Sequence, residues 1–141
     1  MAADMKDPAR LPRSVLVVED DPVLAIGIET ALLDAGIATV ELTSTTDDAL
    51  AALRRATPGA IVLDVHLADR DDGWAIAELV ATLGADRPQI IFSTGSPHDI
   101  PETIAAIGVV LEKPYPPADL IAALREPKAR GLFSRIRQVL R

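Results

Sequence analysis

The chain has 141 residues, 49% hydrophobic and 25% charged, which fits one globular domain with a single core, and no second domain is expected. With no cysteine it has no disulfide framework, thiolate nucleophile or cysteine metal site, and only His66 and His98 offer imidazole. The net charge of −7 is uneven: residues 126–141 hold five bases and one acid, so residues 1–125 carry −11, and so acidic a body argues against nucleic acid as a partner.

Residues 1–13 are polar and punctuated by proline, and we read them as a flexible leader without the apolar stretch of a signal peptide. No run of eighteen apolar residues exists, so no transmembrane segment is expected and the cytoplasm is the expected location. Residues 14–18 form a continuous β-branched run, which fits a strand covered on both faces, and they end on Glu19, Asp20 and Asp21. Pro22 stands where helices favour their first residue, and Leu24, Ile28, Ala31, Leu32 and Ala35 make a helical stripe that stops at Gly36.

A second strand is expected at residues 38–42. It is followed by a helix opened by Thr45 and Asp48, lined by Ala49, Leu50, Leu53 and Ala56, and closed by Pro58 and Gly59. The third strand, residues 60–64, is four apolar residues ending on Asp64. An acidic loop from His66 to Asp72 and a helix from Gly73 to about Leu83 come next. Residues 89–94 read as a fourth strand ending on Thr94. Pro97 and Pro101 then leave room for one or two helical turns near residues 102–107. Residues 109–113 are a fifth strand ending on Lys113, and a last helix is expected over residues 118–125. Five strand–helix alternations imply an α/β fold: a parallel sheet with right-handed crossovers and helices on both faces.

In such sheets ligands bind beyond the carboxyl ends of the strands, and that edge collects Glu19, Asp20, Asp64, Thr94 and Lys113. Singly, each has an ordinary reading: helix caps for the acids, a surface lysine, a strand-end hydroxyl. As a set they point to chemistry. Crowded carboxylates repel unless a cation neutralises them, which implies Mg²⁺ or a similar hard ion held by Glu19 and Asp20. A metal, an ammonium and a hydroxyl around one carboxylate suit phosphoryl transfer, with Asp64 as acceptor.

The motifs Val17-Val18-Glu19-Asp20-Asp21-Pro22, Ile61-Val62-Leu63-Asp64, Gly73, Ser93-Thr94-Gly95 and Glu112-Lys113-Pro114 occur in order over residues 14 to about 125. In this the chain resembles the response-regulator receiver domain of two-component signalling, the CheY-like type. The resemblance implies a flavodoxin-like doubly wound sheet of strand order 2-1-3-4-5. It implies phosphorylation of Asp64 by a histidine kinase or histidine phosphotransfer protein, self-catalysed, with a downstream protein as target. It also implies Mg²⁺ on Asp20 and Asp64, with Glu19 acting through water and the His66 backbone carbonyl as a further ligand.

Three departures matter. Val110 stands three residues before the lysine, where receivers commonly carry an aromatic switch residue. The loop from Asp64 to Gly73 is one residue longer than expected, with Ala68 in place of a frequent proline. The broken fourth helix and Phe92-Ser93-Thr94-Gly95 are similar to a single-domain subgroup marked by a Phe-Ala-Thr-Gly motif. Two rival readings are a Mg²⁺-dependent aspartyl-phosphate phosphohydrolase and a phosphate-independent pseudo-receiver used for docking.

Residues 126–141 form a basic tail in which Leu132, Phe133, Ile136, Val139 and Leu140 share one helical face. That face is expected to pack on the body or a neighbouring chain ahead of a membrane surface or another partner.

Overall fold

Five apolar runs pair into one parallel sheet in the order β2-β1-β3-β4-β5. The computed structural model describes residues 10–67 and 74–126. Its elements are β1 (Ser14–Val18), α1 (Pro22–Asp34), β2 (Thr39–Thr43), α2 (Thr46–Arg55), β3 (Ala60–Leu63), α3 (Trp74–Ala81), β4 (Gln89–Thr94), α4 (Glu102–Ala105), β5 (Val109–Glu112) and α5 (Pro117–Leu124). The expected Asp69–Asp72 acids, Gly73 and the amphipathic tail lie outside the described residues.

Because strand side chains alternate between faces, the buried runs split into two cores. Leu16, Val18, Ile61, Leu63, Ile90, Phe92 and Val110 face α2, α3 and α4. Val15, Val17, Val62, Ile91, Val109 and Leu111 face α1 and α5. The register sets Val18, Leu63, Phe92 and Val110 in one row across four strands, so the residues just beyond that row emerge together at one edge.

Local chemistry fixes the helix ends. The Asp21 carboxylate caps α1, accepting from the Val23 and Leu24 amides at 2.9 and 3.3 Å, and Gly36 beyond its end takes φ 103°, which favours glycine. Thr45 caps α2 by accepting from the Asp48 amide at 3.1 Å.

The structure moves several expected boundaries by a residue. β2 runs over Thr39–Thr43, one residue later than read, because its ladder is set by pairing with Ser14–Val18. β3 stops at Leu63 and leaves Asp64 just past the strand. β5 stops at Glu112, before Pro114, and α5 begins at Pro117. On α1 the core positions are Ala25 and Leu32, with Leu24 44% exposed instead of buried. The helix is turned so that Leu24, Gly27, Ile28 and Ala31 face a cleft toward α5, and one 3.6-residue stripe cannot distinguish a cleft face from a core face. After β4 the prolines break the segment into a 3-10 turn at Pro97–Asp99 and the single α-helical turn of α4.

Candidate functional site

Two acidic positions are pinned at the sheet edge by main-chain bonds. The Glu19 amide donates to the Thr43 carbonyl at 3.0 Å and the Asp64 amide to the Val18 carbonyl at 2.9 Å, which continues the ladder past the strand ends. One carboxylate oxygen each from Glu19, Asp20 and Asp64 then lies within 4.8 Å of the others. Glu19 is 3% exposed and Asp64 6%, a burial that ionised carboxylates do not keep without partners.

The partner is Lys113, delivered from β5. Its amide donates to the Thr94 carbonyl at 2.8 Å, and its Nζ donates to Glu19 Oε1 at 2.7 Å and toward Asp64 Oδ2 at 3.4 Å. Burial pushes the Glu19 carboxyl above its ordinary range, against the pull of the Lys113 ammonium and the Asp21 amide, and nearby Asp64 adds to the rise. For Lys113 burial works the other way, yet the Glu19 and Asp64 acceptors overcome it and hold the ammonium above the usual lysine range. One ammonium facing three carboxylates leaves the edge short of positive charge.

Thr94 is fully buried at the end of β4. Its Oγ1 accepts from the Ser96 amide at 3.0 Å, which turns the chain after the strand and leaves the hydroxyl proton to be donated elsewhere. The His66 amide donates to Asp64 Oδ1 at 3.0 Å, while its imidazole Nε2 lies 3.3 Å from Asp99 Oδ2, away from the three acids. Glu19, Asp20, Asp64, Thr94, Lys113 and the His66 backbone therefore meet at one edge, and the exposed His98 does not join them.

The sequence reading missed the Ser93–Tyr115 pair, whose hydroxyls are 2.8 Å apart on the α1–α5 side of the sheet. Burial pushes the Tyr115 phenol up, and the Ser93 bond only partly offsets that. The signal available was parity: Ser93 shares a face with Ile91, opposite Thr94. Above this pair opens a cavity of about 440 Å³ lined by Leu24, Ile28, Ala31, Tyr115, Pro117 and Leu120 among others.

The donor set suits a hard divalent cation. Magnesium takes six oxygens at about 2.0–2.1 Å, so neighbouring ligands sit about 3 Å apart, and carboxylates already within 4.8 Å reach that by small side-chain rotations. Such an ion would supply the missing positive charge beside Asp64.

The family model for the response regulator receiver domain matches residues 15–125. No curated protein matches the chain. Among solved structures, the PhyR stress response regulator is 29% identical with a TM-score of 0.67, over 88% of this chain and 48% of that one. The chain thus spans about half the length of that regulator. The chemotaxis response regulator CheY4 of Vibrio cholerae is 26% identical, TM-score 0.68, over 79% of this chain and 95% of that one. A sensor histidine kinase receiver domain from Pseudomonas aeruginosa is 25% identical, TM-score 0.68, over 80% of this chain and 94% of that one, and holds a magnesium ion coordinated in its active-site cleft.

Proposed function

The chain belongs to the receiver domain family of two-component response regulators, and from that membership we propose that it accepts a phosphoryl group from phosphohistidine on Asp64 and thereby switches a protein contact. The observation that carries this reading is convergence: four different strands deliver Glu19 and Asp20, Asp64, Thr94 and Lys113 to one edge.

An Asp64 carboxylate oxygen attacks phosphorus while the bond from phosphorus to the imidazole nitrogen breaks, and its electron pair returns to the ring. The His66 amide engages Oδ1 and so orients the carboxylate. Lys113, held by Glu19 and already 3.4 Å from Oδ2, is placed to follow the new negative charge onto the phosphoryl oxygens. The Thr94 hydroxyl has a proton to give to another of them. When bound, Mg²⁺ supplies further charge neutralisation at these oxygens; Asp20 and Asp64 would hold it, with Glu19 through water and the His66 carbonyl. The chain catalyses its own phosphorylation and dephosphorylation and turns over no separate substrate.

The donor is a histidine kinase or histidine phosphotransfer protein, and the chain works with it in the cytoplasm. Support for a protein donor comes from α1, which begins beside the acids and bears Val23, Ile26 and Leu33 outward at 77, 57 and 47% exposure. Among the described residues no helix is long and apolar enough to cross a membrane. A downstream protein reads the switch near β4 and β5, and with Val110 buried in the core the readout works without an aromatic at that position.

The test is incubation of the full chain with a small-molecule phosphodonor and Mg²⁺, followed by intact mass. One phosphoryl increment is expected, absent from Asp64→Asn. An increment that persists in Asp64→Asn removes Asp64 as acceptor. No increment in the unsubstituted chain favours a docking module, and steady release of phosphate from phosphomonoesters favours a hydrolase.

A further inference from the structure

The two helices on one side of the sheet leave a hollow between them. Leu24, Ile28 and Ala31 of α1 face Pro117 and Leu120 of α5 across a cavity of about 440 Å³, and the exposed Val23 borders it too, so it opens to solvent at the first turn of α1. These walls are apolar. Glu19, Ser93, Lys113 and Tyr115 bring polar atoms to the same cavity, and Glu19 and Ser93 are themselves only 3% and 1% exposed. An apolar hollow of about 300–1,000 Å³ with a few fixed polar groups is the usual form of a small-molecule site.

We infer that this cavity binds a neutral amphiphile: an apolar body two to three rings in bulk, bearing one head that accepts hydrogen bonds, such as a ketone or amide carbonyl. Size sets the body. An apolar cavity of about 150 Å³ takes one benzene ring, so one of about 440 Å³ takes roughly two to three.

Spare donors set the head. The Ser93 and Tyr115 hydroxyls, 2.8 Å apart, carry two protons and spend one between them, which leaves one O–H to donate. Lys113 has three N–H groups. One goes to Glu19 Oε1 at 2.7 Å and one toward Asp64 Oδ2 at 3.4 Å, so a third is left over. Glu19, by contrast, has both oxygens engaged, Oε1 by Lys113 and Oε2 by the Asp21 amide at 3.2 Å. The polar lining therefore has protons to give and its carboxylate already in use, and it selects a head that accepts.

Electrostatics keep that head uncharged. An anion beside Lys113 would also meet Glu19 and Asp64, which hold the same ammonium, and a cation would compete with Lys113 for Glu19. Either ion would have to shed its water against apolar walls. Because Glu19 and Lys113 border both the cavity and the acidic edge, an occupant lies against the ion pair that faces Asp64.

The inference stands independently of the phosphoryl reading, and its test needs neither phosphodonor nor metal. The probe is 6-acetyl-2-dimethylaminonaphthalene, a neutral two-ring ketone whose emission moves to the blue in apolar surroundings. Titrated into the full chain, it is expected to give a saturable blue shift at one probe per chain. Gly27 lines the cavity with nothing within 4 Å of where its Cβ would stand, so Gly27→Leu fills the hollow from an uncrowded position. That variant is expected to weaken binding at least about tenfold with a urea midpoint no lower than the parent's, and Ala31→Leu serves as a second plug should it fail to fold. Ser93→Ala with Tyr115→Phe removes the spare hydroxyl proton. It is expected to weaken the ketone about two- to tenfold and to leave 2-dimethylaminonaphthalene, the same body without the head, unaffected. Leu79→Ser, at an exposed position on α3 across the sheet, is expected to change neither probe. No saturable shift, or equal shifts in the parent and the plugged variants, overturns the inference. Equal loss of both probes in the hydroxyl variant overturns the head assigned to the ligand. Binding that disappears as chain concentration rises overturns the inference in favour of a second copy covering the cavity.

Discussion

Lys113 is shared unequally, bonded to Glu19 at 2.7 Å and only approaching Asp64 at 3.4 Å. Glu19 thus serves the site in two ways: it anchors the ammonium, and its burial raises its own pKa so that it holds that ammonium firmly only when ionised. The sequence reading placed Glu19 with the metal alone, because strand-end position reveals nothing of which neighbour a side chain turns to. A pH dependence follows. The Lys113 pKa lies above its ordinary 10.5, so its contribution to stability is complete below 10.5 and is lost as pH climbs through the folded value. Tyr115, raised above 10.0 chiefly by burial, is favoured in its neutral form and loses stability in the same direction. Urea midpoints are expected to fall as pH rises above about 10, and to fall less in Lys113→Met combined with Tyr115→Phe. A slope unchanged in that double variant assigns the alkaline loss to other groups.

Among the elements, the central strands were legible because parallel strands covered on both faces read as unbroken apolar runs, as 15–18 and 60–63 do. Their ends were less so, since pairing partners decide where a ladder stops. The Ser93–Tyr115 bond and the rotation of α1 were hidden for a related reason: both depend on contacts between segments far apart in the chain. Two glycines show how position decides a residue's meaning. A Cβ on Gly108, just before β5, would stand 2.5 Å from the Ile90 carbonyl oxygen and 2.9 Å from the Phe92 ring, and the main chain cannot yield there without disturbing the β4–β5 ladder. Gly108→Ala is expected to cost about 1–3 kcal/mol, seen as a lower urea midpoint at unchanged slope. Gly27 lies mid-helix with open space around it, so Gly27→Ala is expected to stabilise by about 0.5–1 kcal/mol through helix propensity. The same sign for both substitutions would contradict the packing described around Gly108.

For the whole molecule, the acidic edge couples the site to global stability. Three carboxylates gathered at the ends of β1 and β3 repel one another in the folded chain and separate when it unfolds, so in the absence of metal the site costs stability. A cation that binds only the folded arrangement reverses this. Present at about a hundred times its dissociation constant, Mg²⁺ is expected to raise the unfolding free energy by about 2.7 kcal/mol. Asp20→Asn separates the two effects, because it removes one repelling charge and one proposed ligand while leaving the Lys113–Glu19 bond in place. Without metal that variant is expected to match or exceed the parent in urea stability, and with Mg²⁺ to fall below it, so the order of the two proteins inverts. Sodium chloride at matched ionic strength screens the repulsion but is expected to produce no such inversion. If Asp20→Asn keeps the full Mg²⁺ gain, the ion binds elsewhere; if both proteins ignore Mg²⁺, the edge is only a cluster of acids steadied by Lys113.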